Sequence, residues 1–486
     1  MVSSPLGSVS GSERALREAC GVFGIVAPGV DVAKSAFYAL YALQHRGQES
    51  AGIAVMGVGG IQAVKGMGLV TQVFTERDLA PLHGDLAIGH TRYSTTGTSN
   101  VLNAQPYVIH TGQGPLGLAH NGNLTNAPAL RDYLLRRGVG LTSESDSELL
   151  TQLLAQPVPA SVTGARDTWD ERITQMMRLA QGAYSLVVLT AEAVWAVRDP
   201  HGFRPLYVGT LDNGHTGWVA ASESCAFGTI GAKLDFEVEP GTIVRLDRHG
   251  PTVIRPRLPT RPQAFCSFEY VYFARPDSTL EGQLVHAVRQ RLGRQLARET
   301  PVAADLVVGV PDSALPAALG FAAESGTPYG EGLIKNRYIG RTFIQPTQDL
   351  RRSGVSLKFN PLGENLVGKR VVLVDDSIVR GTTAGPIVQL LRDAGAREVH
   401  VRVSAPPVRH PCYMGVDMPR RDDLIAHHLS PPEIARRIGA DSCAFLSHEG
   451  MLAVIEDGPA RTRGHCSACF SGHYPIEVHD DASAAH

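Results

Sequence analysis

The 486-residue sequence predicts an α+β architecture followed by an α/β architecture. In the first half, short apolar runs typical of strands outnumber helical stretches, which favours sheets packed with helices over a βαβ series. In the second half, the β-branched runs 306–310, 371–374 and 399–403 alternate with helical stretches, and this order predicts a parallel sheet. Between the halves, the proline-rich stretch 251–262 indicates a linker.

Composition excludes several classes of protein. The hydrophobic fraction is 43% and the charged fraction 19%, as in globular proteins. With a formal net charge of −2, no broad field attracts nucleic acid or a membrane surface. No apolar run approaches a membrane span, and residues 1–19 lack the apolar core of a secretory signal. We therefore expect a cytoplasmic protein whose seven cysteines are reduced.

The elements of the first half follow from its apolar patterning. Residues 1–19 have the composition of a flexible leader. Ser145 and Glu148 form a predicted capping box at the start of a helix. The domain boundaries that we predict are 20–255 and 256–480, with a disordered tail at 481–486. Strands are predicted at 20–26, 51–56, 86–93, 116–120, 184–189, 194–197 and 218–221, and a helix at 32–43.

Cys20 opens the apolar run Cys-Gly-Val-Phe-Gly-Ile, which on its own indicates a buried cysteine at a strand start. Three further motifs follow it in order: Leu-Gln-His-Arg-Gly-Gln-Glu at 43–49, Gly-His-Thr-Arg-Tyr-Ser-Thr at 89–95 and Ala-His-Asn-Gly-Asn-Leu at 119–124. Together they resemble the class II glutamine amidotransferase domain, an N-terminal-nucleophile hydrolase. Over residues 20–250 the resemblance implies an α+β αββα sandwich.

The chemistry of such a nucleophile predicts cleavage of the chain before Cys20. A thiol of pKa about 8.5 needs a base to attack an amide at neutral pH. A terminal α-amine of pKa about 7.7–8.0 can supply that base, whereas the amide bond to Ala19 cannot. We therefore expect residues 1–19 to be a propeptide.

The resemblance also assigns roles to individual residues. Asn121 and Gly122 would form the oxyanion hole, because an amide and a backbone N–H can both face the developing charge. Arg92 would bind the α-carboxylate of glutamine, and Asp146 its α-ammonium group, although Asp146 could equally belong only to the helix cap. Three histidines would support these loops: His45, His90 and His120.

The second half centres on an acidic turn. The buried run 371–374 ends at Asp375 and Asp376, and residues 380–383 then open a helix that runs to residue 394. A Gly/Thr loop at a helix start binds phosphate, but the motif of nucleoside-triphosphate P-loops is missing. Adjacent aspartates suit a sugar diol and hydrated Mg²⁺ better than a bare phosphate. An acidic turn of an ordinary doubly wound domain remains the alternative.

This stretch resembles the phosphoribosyl pyrophosphate (PRPP) motif of type I phosphoribosyltransferases, which have an α/β domain with a parallel sheet. The stretches 270–278, 310–314 and 333–345 match the transferase half of the amidophosphoribosyltransferase family as well. The resemblance implies that Ser313, Asp375 and Asp376 organise Mg²⁺. It assigns the 5′-phosphate to Arg380, Gly381, Thr382 and Thr383, and further substrate contacts to Lys335 and Arg337. The basic composition of 335–352 indicates either a solvated loop or a lid that screens polyphosphate charge as it closes.

Four cysteines stand apart from the nucleophile: Cys466 and Cys469 in a CxxC, and Cys266 and Cys412 upstream. Their spacing alone allows zinc, an iron–sulfur cluster or no metal, and of these it favours structural zinc or no metal. Their sequence contexts resemble the branch of the family that carries both a [4Fe–4S] cluster and a cleaved propeptide. Cys225 and Cys443 are expected to be buried thiols.

The resemblance as a whole implies a two-site enzyme. Glutamine would yield ammonia, and PRPP would accept it to give 5-phosphoribosylamine, the first committed intermediate of purine synthesis. We expect a homotetramer inhibited by purine nucleotides, without nucleic-acid or membrane partners. Two alternatives are a glutaminase that serves another acceptor and a PRPP-binding regulator without chemistry. The PRPP motif opposes the first, and the nucleophile with its oxyanion turn opposes the second.

Overall fold

The computed structural model describes residues 20–93, 100–158, 167–212, 214–336, 358–418, 420–458 and 464–478. Within these ranges, the first half of the chain contains two antiparallel sheets. Its strands are β1 (Gly21–Val26), β2 (Ser50–Gly57), β3 (Gly60–Met67), β4 (Leu86–Arg92), β5 (Tyr107–Thr111), β6 (Gly114–Leu124), β7 (Gly182–Leu189), β8 (Val194–Arg198), β9 (Tyr207–Leu211), β10 (Trp218–Ala221), β11 (Ala232–Glu237), β12 (Ile243–Asp247) and β13 (Gly250–Ile254). Its helices are α1 (Val32–Ala42), α2 (Val70–Val73), α3 (Glu76–Leu79), α4 (Ala127–Arg136), α5 (Asp146–Ala155), α6 (Trp169–Leu179) and α7 (Cys225–Thr229), with short 3₁₀ turns at Gln44–Arg46 and Val101–Asn103.

The two sheets stack face to face and carry helices on their outer faces. The first has the order β11-β9-β10-β1-β4-β2-β3, and the second β13-β12-β8-β7-β6-β5. Strand β1 is buried on both faces, because Val22 packs between the sheets while Phe23 packs under α1. On the far side of the second sheet, Leu150 and Ile173 bring α5 and α6 onto its surface. The predicted αββα sandwich is confirmed.

The second half is built around a four-stranded parallel sheet of order β17-β20-β21-β22, as the alternation of runs and helices predicts. Its strands are β14 (Phe265–Cys266), β15 (Thr279–Leu280), β16 (Gln283–Leu284), β17 (Leu306–Gly309), β18 (Leu333–Lys335), β19 (Phe359–Pro361), β20 (Arg370–Asp375), β21 (Glu398–Val403), β22 (Ser442–Phe445) and β23 (His465–Cys466). Its helices are a π-helix (Glu269–Phe273), α8 (Val285–Glu299), α9 (Leu315–Ser325), α10 (Gly363–Leu366), α11 (Ala384–Asp393), α12 (Ile425–His428), α13 (Pro431–Ile438), α14 (His448–Glu456) and α15 (Ala468–Ser471), with a 3₁₀ turn at Arg421–Asp423. Among the described residues, no helix is both long enough and apolar enough to span a membrane.

Two local predictions are wrong. Residues 251–254 are not a linker but part of β13, in which Pro251 pairs with Leu246. Strand β13 lies at the edge of its sheet, where proline removes no ladder hydrogen bond that a neighbour needs. Ser145 does cap α5, but Glu148 does not complete the capping box. Its carboxylate instead accepts the N–H groups of Thr142 and Ser143, at 2.8 and 2.7 Å.

Helices α8 and α9 cross at two glycines that allow backbone contact. A Cβ added to Gly293 would lie 1.9 Å from the carbonyl oxygen of Ala317, and one added to Gly320 would lie 1.9 Å from that of Gln290. Both obstacles are helical backbone, which has little freedom to shift. The crossing therefore requires residues without a side chain.

We expect Gly320→Ala to destabilise the protein by about 1–3 kcal/mol or more, because the methyl group forces the two helices apart. Gly228→Ala is the matched control, since Gly228 is also helical and its added Cβ would meet nothing within 4 Å. Thermal unfolding of both variants checks this. Equal melting temperatures would show that the helix crossing tolerates a side chain.

Candidate active sites and the junction between them

Cys20 lies immediately before β1 and is buried. The antiparallel pairing of β1 with β4 sets Gly21 opposite Thr91, so the start of β1 lies beside the end of β4. The Cys20 thiol accordingly donates to the backbone carbonyl of Tyr93 at 3.6 Å. Burial raises the pKa of the thiol, and the charges of Asp146 and Glu49 raise it further, although Tyr93 and Arg92 oppose the shift. This thiol therefore needs a base to ionise near neutral pH.

Asn121 and Gly122 lie on β6, in the sheet that faces β1. The Asn121 side chain is completely buried, and neither of its amide atoms has a hydrogen-bond partner among the described residues. Buried amides are nearly always paired, so the Asn121 amide has donor and acceptor atoms that a ligand can use. Gly122 has φ +150°, and a Cβ there would lie 2.0 Å from the carbonyl oxygen of Ala183.

Arg92 and Asp146 both lie close enough to Cys20 for their charges to act on its thiol. Arg92 is buried and donates to Glu49 at 3.0 Å. Asp146 accepts the N–H of Leu124 at 3.0 Å. Burial alone would raise the pKa of Asp146, but the His120 ring and these hydrogen bonds outweigh it and lower that pKa. The structure thus gathers charges of both signs around the Cys20 thiol, an arrangement that suits the two charged groups of an amino acid.

The three predicted supporting histidines make distinct contacts. His45 Nε2 lies 2.8 Å from Glu223, and His120 Nδ1 lies 3.1 Å from Ser147 Oγ. His90 Nε2 donates to the carbonyl of His120 at 2.9 Å, which ties β4 to β6 beside the oxyanion residues. Burial lowers the pKa of His90 to about 3, so its ring is neutral.

Arg46 connects the nucleophile to the second half of the chain. Its buried guanidinium donates from Nε to the carbonyl of Cys20 at 3.0 Å. The other nitrogens donate to Glu269 at 2.9 and 2.7 Å and to Glu223 at 2.5 Å. Burial would raise the pKa of Glu223, but His45 and Arg46 outweigh it and hold that pKa well below its usual range. Glu269 belongs to the π-helix of the second half, so both halves fix the backbone of Cys20.

The second site lies at the carboxyl end of β20, the edge of a parallel sheet where ligands bind in such folds. Asp375 is the last residue of β20, and Asp376 follows it in a buried position. Ser313, from the turn after β17, donates its hydroxyl to Asp376, and Ser377 does so at 2.7 Å. The structure therefore brings together Ser313, Asp375 and Asp376.

Burial raises the pKa of both aspartates, and the charge of Asp376 adds to the shift at Asp375. The hydroxyls of Ser313 and Ser377 and the charge of Arg289 oppose the shift at Asp376. Carboxylate and hydroxyl oxygens are the ligands that Mg²⁺ prefers. A divalent cation would also remove the repulsion between the two carboxylates, so this donor set fits the predicted metal.

The predicted phosphate residues precede α11. Gly381 has φ +74°, and Thr382 and Thr383 are exposed at the helix N-terminus, where backbone N–H groups attract anions. Arg380 lies 3.9 Å from Asp423. Lys335, at the end of β18, forms an ion pair of 2.6 Å with Asp312. Arg337 and the rest of the predicted lid up to residue 352 lie outside the described residues.

Comparison with known proteins matches both halves. A glutamine amidotransferase domain model matches residues 90–228, and a phosphoribosyl transferase domain model matches residues 280–417. The amidophosphoribosyltransferase of Drosophila melanogaster is 48% identical, with 98% of this chain and 93% of the relative covered. That of Synechococcus elongatus is 50% identical, with 96% and 92% covered. The chain belongs to the amidophosphoribosyltransferase family.

A solved structure of the family agrees over nearly the whole chain. It is the glutamine PRPP amidotransferase of B. subtilis complexed with ADP and GMP, which is 44% identical and superposes with a TM-score of 0.86. The match covers 95% of this chain and 98% of that one. Family membership excludes both alternatives that the sequence left open, a different ammonia acceptor and a regulator without chemistry.

The four cysteines singled out by the family resemblance line one small cavity, together with Phe203, Phe268 and Met414 among others. Burial raises the pKa of Cys266 to about 11, which Arg204 opposes. Among the described residues, no three His, Cys, Asp or Glu side chains converge as metal ligands. Four soft thiols that line one cavity are a donor set that either a zinc ion or an iron–sulfur cluster can use. The four cysteines that line this cavity are Cys266, Cys412, Cys466 and Cys469.

Several residues at the sites escaped the sequence analysis. Glu49 and Arg46 lie within a quoted motif, but nothing in the motif names their partners. Glu223 and Glu269 contact the motif residue Arg46 from positions 177 and 223 residues further along the chain. Arg289 is buried and donates to two carbonyls, that of residue 270 within the π-helix and that of residue 274 just after it, and its charge acts on Asp376. The missed residues therefore connect the two sites.

We expect Glu269→Gln to lower the melting temperature markedly, because it leaves the buried charges of Arg46 and Arg204 undercompensated. Breaking a buried pair typically costs about 3–5 kcal/mol. Glu324→Gln is the control, since it removes an exposed ion pair with Arg298 and should leave the melting temperature unchanged. Similar shifts in the two variants would contradict a special role for the buried network.

Proposed function

We propose that the two sites act in succession on one nitrogen atom, with glutamine as donor and PRPP as acceptor. The reaction is that of the family: it gives 5-phosphoribosylamine, glutamate and pyrophosphate, and it is the first committed step of purine synthesis. The observation that carries the assignment is the buried, unpartnered Asn121 amide on β6, in the sheet that faces the strand opened by Cys20, in one chain with the Asp375 and Asp376 pair. Each half of the reaction has its own site.

Glutamine hydrolysis begins once residues 1–19 are removed and the α-amine of Cys20 is free. The amine takes the thiol proton, and the sulfur adds to the side-chain carbonyl carbon of glutamine. Asn121 and Gly122 donate to the oxyanion, while Arg92 and Asp146 hold the α-carboxylate and α-ammonium groups. The C–N bond then breaks, and ammonia leaves with the proton from the amine. Water hydrolyses the thioester to glutamate.

Transfer takes place at the acidic turn. Ser313, Asp375 and Asp376 would hold Mg²⁺ against PRPP, and the metal would supply the positive charge that lets pyrophosphate leave. Arg380, Gly381, Thr382 and Thr383 bind the 5′-phosphate at the start of α11. The C1–O bond to pyrophosphate breaks, ammonia adds to C1, and the nitrogen then loses a proton. The lone pair of ammonia makes this possible, whereas ammonium has none.

Ammonia must therefore travel between the sites unprotonated, in a route closed to bulk water. We assign closure to the basic loop 335–352, which carries Lys335, Arg337, Arg341, Arg351 and Arg352. Its charges would neutralise the polyphosphate of PRPP as the loop closes. The sequence supports this through the excess of positive charge, with Asp349 as the single acidic residue of the loop.

We further propose a metal cluster, regulation by nucleotides and an oligomeric state for this protein. Four thiolates at Cys266, Cys412, Cys466 and Cys469 would hold a [4Fe–4S] cluster with a structural role, which ties the end of the chain to the second half. Purine nucleotides would inhibit the enzyme, in line with the ADP and GMP in the B. subtilis structure. We propose a homotetramer in the cytoplasm.

Variants at each site test the assignment. Asn121→Ala should lower kcat for glutamine-dependent synthesis about 10²–10³-fold, because one oxyanion donor is lost. Synthesis from added ammonia should be unchanged, since it bypasses the first site. Asp375→Asn should abolish synthesis from either nitrogen source but leave hydrolysis of glutamine measurable. Equal loss of both syntheses in Asn121→Ala would contradict the division into two sites.

Native mass spectrometry of active, anaerobically purified protein tests the covalent state of the chain. We expect the mass of a chain that starts at Cys20, increased by the mass of four iron and four sulfide ions. Active protein that retains residues 1–19 would contradict the need for a free amine. Zinc or no metal in fully active protein would contradict the cluster, and a Cys412→Ser variant provides the control that should lose the added mass.

A further inference from the structure

Residues 412–418, which belong to the second half of the chain, lie directly against the oxyanion residues of the first. A Cβ added to Gly415 would lie 2.9 Å from the carbonyl carbon of Gly122, 3.1 Å from its oxygen and 3.2 Å from its Cα. The φ angle of Gly415 is +94°, so the position also requires glycine conformationally. Two backbones from opposite halves therefore touch without an intervening side chain.

Hydrogen bonds fix this segment on both sides of Gly415. The Asn123 side chain donates to the carbonyl of Tyr413 at 3.0 Å. Arg204 is completely buried and donates to the carbonyl of Met414 at 2.7 Å. Arg204 also donates to Glu269 at 3.2 Å, the carboxylate that holds Arg46. The segment is thus tied both to β6 and to the network around Cys20.

Gly122 has backbone on two sides. Its own missing Cβ would lie 2.0 Å from the carbonyl oxygen of Ala183 on the neighbouring strand, and Gly415 contacts its carbonyl group. Backbone groups of this kind do not yield as the end of a flexible side chain would. These contacts fix the backbone at Gly122. Because Asn121 is the preceding residue, they also fix the backbone from which the Asn121 side chain extends.

We propose that Gly415 is a positioning residue for glutamine hydrolysis, which rests on the proposed oxyanion role of Asn121 and Gly122. Contact with the backbone of Gly415 holds the oxyanion donors where the tetrahedral intermediate needs them. The first site is consequently complete only when residues 412–418 of the second half are seated on it. Displacement of the donors by a fraction of an ångström weakens transition-state stabilisation without removing the nucleophile.

The test compares Gly415→Ala with Gly439→Ala. Gly439 also has a positive φ, +77°, and lies in the second half, but its added Cβ would meet nothing within 4 Å. Gly415→Ala should lower kcat for glutamine hydrolysis about 10–100-fold, with KM changed much less, because substrate contacts to Arg92 and Asp146 remain. Gly439→Ala should match the unaltered enzyme.

Two further readouts separate positioning from general damage. Synthesis from added ammonia should be unchanged in Gly415→Ala. The rate at which iodoacetamide alkylates Cys20 should also be unchanged, because alkylation of sulfur forms no oxyanion. Equal loss of ammonia-dependent synthesis, slower alkylation or an unchanged kcat for glutamine would each overturn the proposal.

A second variant covers the case in which Gly415→Ala does not fold. Asn123→Ala removes the hydrogen bond to Tyr413 without adding volume, and it should lower kcat for glutamine in the same selective manner. Unchanged kcat in a folded Asn123→Ala would then overturn the proposal. Absence of glutamine hydrolysis in the unaltered enzyme would instead refute the proposed function itself, so the two failures are distinguishable.

Discussion

The structure depends on the placement of one buried cation, the guanidinium of Arg46. It lies between Glu223 of the first half and Glu269 of the second, and it also bonds the carbonyl of the nucleophile Cys20. A buried charge is tolerated only where opposite charges and hydrogen bonds compensate it. Glu223 belongs to the same half as Arg46, but two of the hydrogen bonds to the guanidinium end on Glu269, so the first half alone leaves this donor group incompletely bonded. The same guanidinium therefore holds the two halves together and fixes the backbone of Cys20.

The same junction links the two sites physically. From Cys20 the contacts run through Arg46 and Glu269 to the π-helix, and Arg289 then donates to one carbonyl within that helix and to the carbonyl just after it. Arg289 in turn acts on Asp376 through its charge. Buried polar groups thus lead from Cys20 to Arg289, and the electrostatic effect of Arg289 reaches the acidic turn. Energetic coupling between distant sites is carried by packed and hydrogen-bonded groups of this kind.

Local patterns in the sequence predicted much of this protein. Strand β20, its acidic turn and α11 are consecutive, so hydrophobicity and turn chemistry were sufficient to place Asp375 and Asp376 together. The pairing of Arg46 with Glu269 was beyond such reasoning, because 223 residues separate them. Gly415 gave no signal either, since its role arises from contact with a distant backbone.

The two local errors have the same physical origin. Proline-rich composition at 251–262 indicated a linker, but residues 251–254 form an edge strand, which also accepts proline. Ser145 and Glu148 had the spacing of a capping box, but the carboxylate bonds the N–H groups at 142 and 143 instead. In both cases the sequence was compatible with two local structures, and tertiary neighbours selected between them.

The shared construction of the first site has a consequence for attempts to redirect the ammonia. Grafting this glutaminase half onto a foreign synthase module would retain Cys20 and Asn121 but discard Glu269 and Gly415. The chimaera would carry every group that touches glutamine and still lack the scaffold that orients them. A successful transplant must therefore carry over the π-helix and residues 412–418 along with the visible catalytic motifs.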